Sequence, residues 1–268
     1  MISWIASYPK SGSTWVRLLL NAYWFGECDI NNLMSCTGDL KPVYYQNVSP
    51  KSVDKLEPAE IVCLRPAALM QIIETWPFQP VMVKTHFANL YFDEMPIIPF
   101  RMTKRAFYIV RDPRDVALSY ANHFGCSIDE AIESMADDTK SIGDKDSNFK
   151  HVLTSWSGHV DSWLADKSYP VHLIRYEALQ KRPGDVIANI LDKMGLEPDP
   201  KRIERAIELT EFSKMKAQEE EKGFREAPKE RTFFRQGKIG EWKDKLTPLQ
   251  VSRINLAHSA TMKRLGYV

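Results

Sequence analysis

The feature that most constrains this chain lies in its first fifteen residues, where a short apolar, β-rich stretch over 2–6 runs into Pro9 and a helical pattern starts at Thr14. Proline has no amide hydrogen to give a ladder, so the strand is expected to stop near Tyr8. From Thr14 onward Trp15, Val16, Leu18, Leu19, Leu20, Ala22 and Tyr23 recur at helical spacing, with Arg17 and Asn21 marking the expected wet side. Between strand and helix stand Lys10, Ser11, Gly12, Ser13 and Thr14: a cation, hydroxyls, a flexible glycine and the unpaired N–H groups of a helix start. These are the parts of an anion cradle. The order is not that of the nucleotide triphosphate loop G-x-x-x-x-G-K-[ST], because the lysine precedes the glycine. From the residues alone, the turn reads either as an anion site or as an ordinary strand-to-helix connection.

Whatever anion binds must be held locally, since the chain of 268 residues has a formal net charge of only +1. Such a balance gives no general attraction to nucleic acid or to a membrane surface. A hydrophobic fraction of 44% suits one large α/β domain over 1–268 with a well-developed core. Cys28, Cys36, Cys63 and Cys126 form no C-x-x-C pair and read as reduced thiols. There is no basic-then-apolar leader and no apolar run long enough for a membrane span, so the expected location is cytoplasmic.

Three further strands are expected at 81–84, 104–110 and Val171–Arg175, each ending in chemistry-bearing residues: Lys84-Thr85-His86, Arg111-Asp112 and Tyr176-Glu177. In an open parallel sheet, ligands bind beyond those carboxyl ends. Helices are expected over 66–76, from Pro113 with Asp112 as cap, and over Pro183–Met194, Pro200–Leu209 and Pro248–Leu265. The stripe Val152, Trp156, His159, Val160, Trp163, Leu164 suggests one core helix over 149–165. Residues 26–58 read as a loop with short helical turns, either a wall of an acceptor pocket or a solvated surface excursion, and 137–148 as a mobile loop or insertion. Tyr120, Asn122, His123 and Phe124 are suited to shaping the pocket. Arg114 and Asp115 are expected to form a surface ion pair, and the charged run 218–232 to stay flexible until a ligand orders it.

The segment Tyr8-Pro9-Lys10-Ser11-Gly12-Ser13-Thr14-Trp15 resembles the 5′-phosphosulfate loop of the sulfotransferases, chiefly the cytosolic type and its bacterial relatives. Two more blocks match in order: Tyr108 to Tyr120, containing Arg111-Asp112-Pro113-Arg114-Asp115, and Arg235-Gln236-Gly237-Lys238-Ile239-Gly240-Glu241-Trp242. The resemblance implies an α/β fold of the P-loop nucleotide kinase type, with a central, mostly parallel sheet flanked by helices. It implies the co-substrate 3′-phosphoadenosine 5′-phosphosulfate (PAPS), the product adenosine 3′,5′-bisphosphate (PAP), and no metal. His86 would be the general base, Lys10 the main stabiliser of the leaving phosphate and Lys84 an auxiliary one. Ser11, Gly12, Ser13 and Thr14 would hold the 5′ end of the donor. Arg111, Ser119, Arg235, Gln236 and Gly237 would hold its 3′-phosphate, and Ser119 would also restrain Lys10. Trp15, Tyr176, Thr210 and Phe212 would surround the adenine. Gln236 stands where many relatives carry a lysine.

Two rivals remain at this stage. A nucleotide kinase or NTPase would need the lysine after the glycine and an acidic Mg²⁺ ligand at a strand end. A non-catalytic nucleotide-binding module would have no need of Lys10 and His86 together. The acceptor is left open among small molecules, peptides and glycans bearing a hydroxyl or an amine, as is the oligomeric state.

Overall fold

Five parallel strands, β1 (Ile2–Ser7), β2 (Thr37–Gly38), β3 (Val81–Thr85), β4 (Thr103–Val110) and β5 (Val171–Arg175), lie side by side in the order β2-β3-β1-β4-β5. The computed structural model describes residues 1–143, 149–165, 168–227 and 231–268. The chain starts at the centre of the sheet, builds outward on one side with β2 and β3, then crosses to the other with β4 and β5. A crevice at the carboxyl end of β1 is the consequence, and it is where doubly wound sheets bind ligands.

Successive side chains of a strand point to opposite faces, and here both faces are covered. Trp4, Ala6, Val83 and Tyr108 enter one core, against α2 (Pro58–Thr75), α3 (Pro113–Phe124), α4 (Trp156–Ala165) and the terminal helix Pro248–Leu265. Ile5, Met82, Phe107 and Ile109 enter the other, against α1 (Ser13–Phe25) and the helices Pro183–Met194 and Pro200–Leu209. Each buried Leu, Ile or Phe in these layers contributes roughly 1.5–3 kcal/mol. The strand ends are thereby held rigid. A smaller core of Leu18, Ile30, Met215, Phe224 and Phe234 fastens α5 (Phe212–Lys222) and the chain after it onto α1.

Several expectations are corrected. Arg17 and Asn21 do not face water: both are buried, with Arg17 ion-paired to Glu226 and the Asn21 side-chain oxygen accepting from the Ser35 N–H. Residues 26–58 include the edge strand β2 besides the helix Pro42–Gln46, because Thr37 and Gly38 pair with Val83 and Lys84. The helix expected over 66–76 begins at Pro58, where Glu57 and Glu60 form a capping box, and carries Pro66 within it. The stripe over 149–165 is not one helix. Lys150–Val152 pairs with Ser141–Gly143 as a hairpin, and α4 starts only at Trp156. The rest of the expected mobile loop, 144–148, lies outside the described residues.

Arg114 and Asp115 are not a surface pair. Arg114 is buried against Asp112 at 2.7 Å and over the Trp242 ring, while the Asp115 carboxylate accepts from the Gly240 and Trp242 amides. A buried carboxylate needs such donors, and these two tie the segment after Gly237 to α3. The run 218–232 is also more ordered than its charge suggests. Gln218 to Lys222 complete α5, and Glu219 accepts from the Phe233 and Phe234 amides. Residues 228–230 lie outside the described residues.

Candidate active site

The turn after β1 closes tightly, with the Ser11 N–H donating to the Tyr8 carbonyl at 3.3 Å. Lys10 takes φ of 68° and Gly12 φ of 105°. At Gly12 the left-handed backbone is not the only constraint: a Cβ there would sit 2.5 Å from the Tyr176 ring. Glycine therefore lets the loop press against the residue that follows β5. No side chain caps α1, so its first amides stay available to an anion. Buried nearby and without hydrogen-bond partners among the described residues are Ser11 Oγ, Trp15 Nε1 and Arg111 Nε.

The turn, the start of α1 and Arg111 line a cavity of about 930 Å³. On one flank Arg111 lies over the Tyr176 ring and donates to the Lys238 carbonyl at 2.9 Å. The Tyr176 hydroxyl donates to the Gly237 carbonyl at 3.3 Å. Gly237 repeats the logic of Gly12: φ is 61°, and a Cβ would meet the Phe212 ring at 2.7 Å. Aromatic rings and backbone are in contact at both glycines.

Deeper in the cavity Lys10 extends its ammonium to His123 Nδ1 at 3.3 Å and over the Phe233 ring at 3.7 Å. It was expected on Ser119, which lines the cavity without holding it. Burial, aided by Arg111 and Lys84, lowers the Lys10 pKa to about 7, with Glu226 opposing. Burial and the Lys10 charge lower His123 to about 4, so it accepts Lys10 as a neutral imidazole. Lys84 is likewise lowered by burial. A carboxylate stands among these cations: Glu226 receives two bonds from Arg17, at 2.8 and 2.6 Å, and its pKa falls to about 2 because the attraction of Arg17 and Lys84 outweighs its burial.

His86 leaves the end of β3 with Nδ1 2.7 Å from the Ser7 carbonyl. A carbonyl can only accept, so Nδ1 carries the proton and Nε2 keeps a lone pair on the other edge of a ring that lines the cavity. The pKa lies well below the usual imidazole value, first from burial and then from Lys84 and His151. Beside His86, at 5.7 Å between centroids, is His151, whose Nε2 is 3.2 Å from the buried Asp39 carboxylate. Asp39 is ion-paired to Arg65 at 2.6 Å, with both side chains 1% exposed. His159 supports His86 from below, Nε2–H donating to the His86 carbonyl at 3.0 Å while Nδ1 accepts from the Tyr108 hydroxyl.

Of the residues singled out from the sequence, the fold brings Lys10, Gly12, Ser13, Thr14 and Trp15 to the cavity wall. Lys84, His86, Arg111, Ser119 and Tyr176 join them, followed by Phe212, Gln236 and Gly237. Three are not brought to it. Ser11 lies behind the turn, Thr210 spends its hydroxyl on the Ala206 carbonyl at 2.8 Å, and Arg235 is engaged with Glu241 at 2.7 Å. His123 and Phe124 line the cavity as expected, whereas Tyr120 is buried against Phe124, and Asn122 donates to the Thr232 carbonyl. Sequence reasoning missed Asp39, Arg65, His151, Arg17 and Glu226 as one polar surround. The available signal was an arginine inside each of two apolar helical stripes, which implies a buried anion from elsewhere in the chain. Among the described residues no group of three or more His, Cys, Asp or Glu side chains is placed to hold a metal ion.

Comparison with known proteins places the chain in a family. The family model for the sulfotransferase domain matches residues 2–266. The chain is 25% identical to Sulfotransferase 1A1 of Rattus norvegicus, over 96% of this chain and 83% of that protein. It is 25% identical to Cytosolic sulfotransferase 1 of Danio rerio, over 97% and 82%, and 26% identical to Flavonol 3-sulfotransferase of Flaveria bidentis, over 94% and 78%. Among solved structures, retinol dehydratase in a complex with retinol and PAP superposes with a TM-score of 0.65 at 20% identity, covering 98% of this chain and 81% of that one. Mouse sulfotransferase SULT7A1 complexed with PAP gives 0.62 at 20% identity, over 97% and 82%. Both share the fold.

Proposed function

The chain belongs to the sulfotransferase family, and we propose that its cavity carries a sulfuryl group from PAPS to a hydroxyl or amine of a small-molecule acceptor, with His86 as general base. The donor fits the residues present. The Arg111 Nε, buried at the cavity and without a hydrogen-bond partner among the described residues, the uncapped start of α1 and the two close-approach glycines suit phosphate groups. Trp15, Tyr176 and Phe212 offer flat surfaces for the purine, a stacking contact of roughly 1–3 kcal/mol.

When bound, the donor supplies the sulfuryl group and a phosphate that departs with the electron pair of the broken S–O bond. His86 Nε2 takes the acceptor's proton as its oxygen bonds to sulfur. Lys10 neutralises the charge growing on the departing phosphate, and Lys84 adds a second positive charge. In the free protein His123 keeps the Lys10 ammonium to one side. An acceptor with aromatic or alicyclic carbon suits a cavity walled by Phe124 and Phe233, in keeping with the names of the flavonol and retinol proteins among the relatives. A cytoplasmic setting is part of this reading. It rests on the name of the Danio rerio relative, while no helix among the described residues is long and apolar enough to cross a membrane.

The observation that carries the proposal is the His86 Nδ1 to Ser7 carbonyl bond, which turns the basic nitrogen away from β1 in a cavity that also holds Lys10 and Lys84. A library of phenols, alcohols and amines incubated with PAPS tests it, with mass spectrometry reading the gain of SO₃. Product is expected with and without EDTA. Transfer of phosphate from ATP instead, dependent on Mg²⁺, would replace this reading with that of a kinase.

A further inference from the structure

The acceptor side holds a polar device that the proposed transfer does not use. Asp39, directly after the edge strand β2, is buried and saturated with strong partners: Arg65 at 2.6 Å and His151 at 3.2 Å. Its amide is bonded to the Lys84 carbonyl at 3.2 Å, which locks it to β3. Arg65 is fixed in turn by the Ile97 carbonyl at 2.7 Å and by the Phe87 ring at 4.3 Å. If the Asp39–Arg65 pair served only to close the core, no imidazole would be needed on it. Yet His151 is hung on its remaining oxygen, from the hairpin strand Lys150–Val152, so that its ring forms part of the cavity wall beside His86.

The chemistry of that ring follows from its partner. An ionised Asp39 can only accept, so His151 Nε2 carries the proton and Nδ1 keeps its lone pair. Among the described residues no hydrogen bond is formed by Nδ1. Two imidazoles that line one cavity thus each keep an acceptor nitrogen, His86 Nε2 and His151 Nδ1, on rings whose centres are 5.7 Å apart. Hydrogen bonds of about 2.8 Å to each nitrogen would span two oxygens on adjacent or next-adjacent carbons. A lone hydroxyl would satisfy only one of them.

We infer that His151, oriented by Asp39 and Arg65, selects acceptors that carry a second hydroxyl or N–H beside the one facing His86, so that vicinal diols and catechols are preferred to simple alcohols and phenols. This rests on the sulfotransferase reading. His151 donates nothing to the reaction itself: the reacting hydroxyl loses its proton to His86, and the neighbouring hydroxyl is held through its O–H by His151. Leaving a buried acceptor nitrogen unpaired when the second donor is missing is what penalises the wrong substrate.

The test compares 4-methylcatechol with its monomethyl ether 2-methoxy-4-methylphenol, and cyclohexane-1,2-diol with its monomethyl ether. Each pair differs in one hydrogen-bond donor. Wild-type kcat/KM is expected to favour the diol by about tenfold. His151→Phe, which keeps a ring without nitrogen, should bring the ratio close to one. His151→Gln, whose amide can donate to Asp39 and still accept, should restore part of it. PAP affinity, measured by calorimetry, should be the same in all three proteins and reports that they are folded. A wild-type enzyme that uses the ethers as well as the diols overturns the inference, as does a preference that survives His151→Phe. Sulfation of simple alcohols, phenols or amines but of neither diol overturns it while leaving the proposed function intact. Absence of sulfuryl transfer to any acceptor removes both.

Discussion

At the end of the cavity formed by Lys10 to Trp15, Arg111 and Tyr176, each side chain sits within three residues of a strand end or a helix start. The end formed by His86, His123 and His151 draws its support from Ser7, Asp39, Arg65, Lys10 and His159, scattered over β1, β2, α2 and α4. The first kind of site is written as contiguous motifs, because phosphate recognition needs consecutive amides and a glycine at fixed spacing. The second is an assembly of side chains that meet only after the sheet has formed. A change at the motif end should alter how tightly the donor is held, and a change at the assembled end should alter turnover and acceptor choice.

The largest effect expected is that of His86→Asn, which roughly keeps the shape but cannot take a proton: kcat should fall by about 10²–10⁴-fold with PAP affinity unchanged. Because the His86 pKa is depressed in the folded protein, its neutral, basic form persists to lower pH. The acid limb of the wild-type rate should then lie below the ordinary imidazole value of about 6.5. Near-wild-type turnover by His86→Asn would move the base to another residue, His123 being the nearest alternative.

Lys10→Ala comes next and probes the border between the two ends. Turnover should drop by about 10²–10³-fold, whereas PAP, whose 3′-phosphate and base contacts do not involve Lys10, should still bind. Equal losses in both would mean that Lys10 serves binding and not the transition state. The same variant tests its titration. With the pKa of free Lys10 lowered to about 7, an anion beside it raises that value again, so PAP binding above neutral pH should take up a proton and weaken as pH rises. Calorimetry in buffers of different ionisation enthalpy should show the uptake in the wild type and none in Lys10→Ala.

A purely motif-end effect is expected of Gly12→Ala. The added Cβ meets the Tyr176 ring on a left-handed backbone, so donor affinity should fall by about tenfold and stability by about 1–3 kcal/mol. Acceptor preference should not change. A shifted acceptor ranking in this variant would break the division drawn between the two ends.

The smallest effect is a gain. Gln236 lines the cavity while the neighbouring Arg235 is held by Glu241, so Gln236→Lys adds a cation to that wall. PAP should bind about three- to tenfold more tightly at low salt, and the advantage should shrink as salt is raised. Salt-independent tightening would point to a packing change instead.

Much of the framework was legible beforehand. Pro9, Pro113, Pro183, Pro200 and Pro248 mark helix starts or a strand end, and the apolar runs between them define the central strands of the sheet and most of its covering helices. His86 and Arg111 could be placed at strand ends because a buried parallel strand offers its polar residues nowhere else to go. The edge strand β2 was not legible. Two residues have no periodicity, and only pairing with β3 makes Thr37 and Gly38 extended. Nor could 149–165 be divided from its apolar spacing alone, since Val152 fits a helical stripe and a hairpin equally well.

By itself the sequence determined the strand-to-helix turn after β1, its glycine and the strand that ends just before His86, because each depends on neighbours in the chain and on backbone geometry. Only the tertiary structure decided which charges are buried together. Arg17 with Glu226, Asp39 with Arg65 and His151, and Lys10 with His123 are separated by 209, 26, 112 and 113 positions. No local pattern reports such pairs. A charge can leave water only where the fold brings it a partner, and that is settled by the packing of helices on the sheet.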